Sequence, residues 1–247
     1  MPTTQIATST ATQITVRGED LCGQLIGTVS FTEMMWLVIF GARPTSGQIA
    51  VADACMVALM EHGLTPSAIT SRLIYGSSPD AMQGAVAAGL LGVGSRFVGT
   101  VEGCAALLAR IAAAADPVAE AAVVVAEVSP IPGFGHDVHT PDDPRPAALF
   151  AVARAHGIAG RHVAALEMLA AALDAKKKRH ITINATGAIA AVLADAGVPA
   201  EIMRGFALVS RCGGLIGHIR EEQTDPSMRA LWHGAEKSVP YRGGEKP

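Results

Sequence analysis

The sequence predicts an all-α fold, and three observations lead there. Half of the 247 residues are apolar, yet the chain has only six phenylalanines, two tryptophans and two tyrosines. A core of Ala, Leu, Val and Gly suits close-packed helices, whereas strands draw on β-branched and aromatic side chains. Apolar runs recur between helix start and stop signals, and alternation typical of a strand is visible only at 13–17.

The elements follow in order. Ser30-Phe31-Thr32-Glu33 has the form of a capping box, and the helix after it, 34–40, stops at Gly41 with Pro44 beyond. A second helix covers 48–61, broken by Gly63 and Pro66 with His62 at the junction. Helices at 67–75, 79–92, 102–115 and 117–128 come next, the last two split by Asp116-Pro117. Residues 129–146 hold five prolines and two glycines, which forbid a helix. A loop this long inside a compact domain is functional or disordered, and its proline frame around Phe134 and two histidines favours function. Helices at 146–156, 161–177, 186–196 and 200–219 complete the pattern. The polar tail 220–247 reads as irregular, with Trp232 and Tyr241 as anchors. A single helical chain over 1–247, with a small subdomain around 130–200 inserted in a larger one, is the expected organisation.

Composition narrows the function. Nineteen basic and 22 acidic residues give a net charge of −3, with no basic block beyond 176–179. Nucleic acid is therefore not expected as a partner, since phosphate neutralisation needs a broad basic face. Cys22, Cys55, Cys104 and Cys212 are widely spaced and read as free thiols of a reducing compartment. The greasiest runs, 21–40, 81–101 and 104–128, are each interrupted by charge, so no membrane span is expected. Residues 1–13 lack a basic stretch followed by an apolar one, so no secretory signal is read and a cytoplasmic location is expected. So much Ala, Leu and Val surface implies a homodimer, with 81–94 and 203–218 near the interface.

The chemistry concentrates in 129–146. His136 follows Gly133-Phe134-Gly135, whose glycines let a ligand approach the backbone. Imidazole can give or take a proton near neutral pH, and Arg145 can clamp a carboxylate through two bonds. His136 and His139 alone lack the further spacing of a zinc site, so no metal is expected. There is no nucleophile elbow, P-loop or His-Glu-x-x-His, and Gly92-Val93-Gly94 follows no strand.

Pro132-Gly133-Phe134-Gly135-His136, then Arg145 in Asp-Pro-Arg, resembles the signature loop of the citrate synthase superfamily. Glu61-His62-Gly63 resembles the first substrate-histidine motif, 184–189 the Asn-Val-Asp-Gly helix start, and Ser210-Arg211 with Gly217-His218 the late arginine motif. The similarity runs from about Leu21 to Trp232. The chain is far shorter than a typical citrate synthase, and Phe97 stands where that enzyme has a histidine. Gly94-Ser95-Arg96-Phe97-Val98-Gly99 looks instead like the corresponding segment of ATP-citrate lyase and the stand-alone citryl-CoA lyases.

That branch is all-helical and dimeric, and splits citryl-CoA into acetyl-CoA and oxaloacetate. The resemblance implies that His136 takes the substrate hydroxyl proton, and that His62, Arg145, Arg211 and Phe97 surround the oxaloacetate half. Pro132, Gly133, Phe134 and Gly135 would line the coenzyme A path, with Lys176, Lys178 and Arg179 available for its phosphates. No permanently bound cofactor is implied, coenzyme A being part of the acyl-CoA substrate.

The family's catalytic aspartate falls at Thr186, and a hydroxyl with a pKa far above 7 cannot cycle protons as a carboxyl does. Three explanations stand. Another carboxylate, Asp137, Asp142, Asp143 or Glu102, supplies the proton; or a different acyl-CoA needs less help; or the protein binds a CoA ester as a sensor or scaffold without catalysis. An acyl-CoA thioesterase acting through His136 and water is a further reading. Other roles are also open: Arg211 could pair with Glu221 or Glu222, His218 is as readily structural as functional, and His156, His162, His180 and His233 read as surface residues.

Overall fold

A computed structural model of the chain describes residues 1–94 and 98–243. Its N-terminal part is a small antiparallel sheet of β1 (Ala7–Ser9), β2 (Ile14–Val16) and β3 (Glu19–Asp20), with Thr8 opposite Thr15 and Val16 opposite Glu19. The alternating stretch at 13–17 is thus its central strand. A short π-helical turn, Leu21–Leu25, follows, and Val16, Leu25 and Leu37 bury one another in a satellite cluster.

Local chemistry sets the helix starts. In α1 (Phe31–Phe40), Glu33 N–H donates to Ser30 Oγ and Ser30 N–H to Glu33 Oε2, the expected capping box. A second box, Thr45 with Gln48, opens α2 (Ser46–Met60). Thr65 caps α3 (Pro66–Ser77), which packs on α4 (Met82–Leu91), the Ser67 hydroxyl donating to Gly89 O at 2.6 Å. The chain continues through α5 (Thr100–Ala113), α6 (Pro117–Glu127), α7 (Pro144–Ala155) and α8 (Arg161–Lys177). Asp116 and Asp143 cap α6 and α7, each with proline at the first helical position.

The helix that organises the rest is α9 (Ala185–Asp195). Ala188 to Leu193 are all fully buried, so α9 is apolar all round and sheathed by α2, α5, α7 and α8. Its N-terminus, capped by Asn184, is thereby fixed at one end of the core. After a short 3-10 turn, Ala200–Ile202, helix α10 (Met203–Thr224) crosses α2, α3 and α4. Among the described residues no helix is long and apolar enough to cross a membrane.

Four expectations are corrected. The tail from 220 is not irregular: α10 runs to Thr224, and α11 (Met228–Ser238) follows. Buried Glu222 accepts the Ser227 and Met228 N–H groups at 2.8 and 2.7 Å, so a side chain from α10 caps α11. Arg72 of α3 lies against Glu221 and Glu222, in the place imagined for Arg211. Trp232 and Tyr241 anchor nothing, being 54% and 90% exposed. His162 is not a surface residue; it is buried, with Nδ1 2.8 Å from Asp195, whose carboxylate also accepts backbone N–H groups of Gly160, His162 and Val163.

Candidate active site

The segment between α6 and α7 is held on the start of α9 by backbone bonds. Asn184 N–H donates to Gly133 O, Gly135 N–H donates to Thr182 O, and Phe134 bridges Ile183. The Asn184 side-chain amide donates to Gly135 O at 2.9 Å. Gly133 and Gly135 adopt φ of 91° and 80°, which L side chains rarely tolerate. Gly133 also has no room: a β-carbon there would stand 2.7 Å from Cys104 Sγ.

This anchoring leaves a cavity of about 850 Å³ between the loop, the α2–α3 junction and the starts of α5 and α9. Pro132, Gly133, Phe134, Gly135, His136, Arg145, His62, Arg211 and Thr186 all line it. Segments 62, 130–138, 145, 184–186 and 211 therefore meet at one place. Lys176, Lys178 and Arg179 do not line it; they close α8, and Lys176 Nζ donates to Val125 O. Phe97 lies outside the described residues.

Arg145 is held by its neighbour Asp143, with Nε on Oδ1 at 2.9 Å and Nη2 on Oδ2 at 2.7 Å. The Asp143 side chain is fully buried and also accepts the Arg145 and Ala185 N–H groups, tying the start of α7 to the start of α9. Burial opposes its charge, but the hydrogen bonds from Arg145 and Ala185 outweigh it and hold the carboxyl below the ordinary range.

His136 Nδ1 accepts the Val138 and His139 N–H groups at 3.0 and 3.1 Å, while Nε2 lies 3.3 Å from Arg145 Nη2. With Nδ1 accepting two N–H groups, the proton of the neutral ring falls on Nε2, and the Arg145 guanidinium, which can only donate, then lies beside that N–H without bonding to it. Burial, then His139 and Arg145, lower its pKa. His62 is lowered by burial and then by Arg145, His139 and Arg211. Arg211 is nine-tenths buried; among the described residues its Nη1 has no hydrogen-bond partner and lies 3.8 Å from Glu61 Oε2. His218 stands behind this wall, accepting from Arg72 Nε at 2.9 Å and lying 3.0 Å from Glu61 Oε1 without hydrogen-bond alignment.

The Thr186 hydroxyl donates to Asn184 Oδ1 at 2.7 Å and accepts from Thr100 Oγ1 at 3.0 Å. Asn184 caps α9, and Thr186 lies in its first turn. The candidate proton donors also separate: Asp143 is locked to Arg145, Asp142 is 2.8 Å from His180 Nε2, and Glu102 is paired with Arg204. Of the four, Asp137 alone lines the cavity. Sequence reasoning missed His139 as a member of the site; its spacing from His136 was visible, but its approach to His62 depends on the fold.

Residues 3–231 match the family model described as citrate synthase, C-terminal domain. The chain belongs to the citrate synthase family. The proteins named "Putative citrate synthase 2" of Mycobacterium bovis and Mycobacterium tuberculosis are 29% identical to it over 209 residues, 81% of this chain. The chain spans about half, 54%, of the length of these relatives. Among solved structures, citryl-CoA lyase from Hydrogenobacter thermophilus superposes with a TM-score of 0.89 at 27% identity, covering 100% of this chain and 96% of that one. Citrate synthase from Thermotoga maritima shares the fold, with a TM-score of 0.68 at 21% identity over 89% of this chain and 58% of that one. The all-helical, citrate synthase-like fold expected from the motifs is thus the fold of this family member.

Proposed function

We propose that the protein cleaves a carbon–carbon bond of a 3-hydroxyacyl-CoA thioester, with citryl-CoA giving acetyl-CoA and oxaloacetate as the first substrate to test. The observation that carries this reading is the convergence of His62, His136, Arg145 and Arg211 on one cavity that the glycine loop 132–135 also lines. Two guanidiniums and two imidazoles suit a polycarboxylate, and buried Arg211 Nη1, which among the described residues has only the distant Glu61 carboxylate at 3.8 Å and no hydrogen bond, can donate to an anion. The full-length likeness to a citryl-CoA lyase favours the lyase branch.

The resting ring of His136 carries its proton on Nε2, so it donates to the substrate oxygen and stabilises the alkoxide there with Arg145. This is the opposite polarity to the proton-taking role implied by the resemblance. The hydroxyl proton passes instead to His62, which burial and the nearby guanidiniums keep neutral. The electrons of the broken carbon–carbon bond then move onto the carbon beside the thioester carbonyl, as an enolate, and the proton taken up by His62 returns to that carbon by way of Asp137, of the four candidate carboxylates the one on the cavity wall. Residues 132–135 line the coenzyme A path, and the working protein is a homodimer, with Leu91, Val209 and Ile216 exposed on α4 and α10.

A second reading, a CoA-ester binder without catalysis, is favoured by one observation. The Thr186 hydroxyl is engaged with Asn184 and Thr100 and offers no acid. Turnover of citryl-CoA, with oxaloacetate release coupled to NADH oxidation through malate dehydrogenase, separates the two. Cleavage by wild type and its loss in His136→Ala support the lyase; tight citryl-CoA binding without cleavage supports the binder.

A further inference from the structure

Three imidazoles meet at the mouth of the site, one more than the reading above uses. The His139 ring centroid lies 4.4 Å from that of His136 and 5.7 Å from that of His62, and His62 lies 5.6 Å from His136. One ligand nitrogen from each falls within 4.8 Å of the other two. Such a cluster could hold either a metal ion or an anion, and its surroundings choose between them.

A cation would need lone pairs directed inward. His136 Nδ1 already accepts two backbone N–H groups, and Nε2 faces the Arg145 guanidinium at 3.3 Å. Arg145 and buried Arg211 border the same space, while Asp143 is spent on Arg145 and the Glu61 carboxylate accepts the His62 and Gly63 N–H groups and lies near Arg211 and His218. Asp137 is a further carboxylate on the cavity wall, but the charges that act on the His62 ring are Arg145, His139 and Arg211 against Asp143 alone, and the groups facing His136 are donors. Beside the rings a second cation is therefore repelled and an anion drawn in.

We propose that His139 is a carboxylate-positioning residue, which with His62 and His136 forms a three-imidazole site that takes up protons as a polycarboxylate enters. The proposal rests on the reading that this cavity receives a carboxylate-bearing acyl group. Without an anion, burial, the two guanidiniums and mutual repulsion keep His62 and His136 neutral. A carboxylate among the rings reverses that balance, so proton uptake and binding are linked. The role belongs to the His139 side chain alone, because its backbone N–H, not its ring, orients His136.

The test is titration calorimetry of the full chain with citrate and with oxaloacetate, in two buffers of different ionisation enthalpy, the difference giving protons taken up. Wild type should bind citrate with net proton uptake and more tightly at pH 6 than at pH 8. His139→Ala should weaken citrate by about tenfold, one charge-assisted bond. His139→Gln, which keeps a side-chain donor, should restore part of the affinity, which a merely structural role would not produce. Unchanged citrate affinity in His139→Ala would overturn the proposal. Stoichiometric Zn²⁺ binding lost in His139→Ala, with citrate affinity unchanged, would overturn it in favour of a metal site. If wild type binds neither acid, the carboxylate reading of the cavity fails and this inference with it; if it binds them and His139→Ala matches it, only this inference fails.

Discussion

A β-carbon on Gly187 would stand 2.5 Å from the carbonyl oxygen of Gly133, so the first turn of α9 and the substrate loop touch backbone to backbone. The contact sets the distance between Thr186 and the His136 loop, two walls of the cavity. Gly187→Ala is therefore expected to lower stability by about 1–3 kcal/mol through overpacking, since neither backbone can yield cheaply. Thermal unfolding checks this: for a chain of this size each kcal/mol moves Tm by roughly 2–4 °C. An unchanged Tm would mean that the loop relaxes freely and is not pinned to α9.

Asp143→Asn should loosen Arg145 and the joint between α7 and α9 together. Because Arg145 keeps partial access to water, a loss of about 2–3 kcal/mol is expected, below the range for a fully buried pair. The pH sign follows from the lowered pKa of Asp143. Its contribution is complete above the ordinary value of 3.8 and fades as pH falls through the lower folded value. Urea midpoints for wild type and variant should thus differ at pH 6 and converge only in strong acid.

His180 shows the reverse sign. Its ring lies 2.9 Å from Asp174 of α8 and 2.8 Å from Asp142 of the loop, and both carboxylates raise its pKa, Asp174 more than Asp142. A raised folded value means stability that is fully present below pH 6.5 and is lost as pH climbs through it. His180→Asn should therefore be measurably less stable than wild type at pH 5.5 and equal to it at pH 9. Hydrogen exchange of the loop amides would report the same trend locally.

Asp137→Asn tests the carbon acid. A positioned acid contributes typically about 10²–10⁴-fold, so the substitution should lower kcat by at least about tenfold with little change in KM. An unchanged kcat would remove Asp137 from the reaction.

Much of this site was legible in the sequence because its motifs carry their own local physics. Gly133 and Gly135 announce a backbone that other residues cannot adopt, and both do have positive φ. His62, Arg145 and Arg211 were recognisable by motif, and the fold brings them to one cavity. What stayed hidden depends on distant partners. Asp143 read as a proton donor because its fork to Arg145 and its bond to Ala185, 42 residues on, leave no local pattern. The approach of His139 to His62 has the same cause. Lys176, Lys178 and Arg179, which the resemblance offered for the phosphates of coenzyme A, lie at and beyond the end of α8, outside the cavity lining. The start of α11 was missed although Ser227 stands at its N-cap, because the bonds that satisfy its first N–H groups come from Glu222 of α10 and not from the Ser227 side chain.

The central claim, that a citryl-CoA lyase site operates here without the family aspartate, is tested most directly by citryl-CoA cleavage in wild type, His136→Ala and Thr186→Asp side by side. The account predicts oxaloacetate from wild type, none measurable from His136→Ala, and faster release from Thr186→Asp, whose carboxyl would stand on the cavity wall beside Thr100. Silence from all three proteins, with citryl-CoA intact, would contradict it.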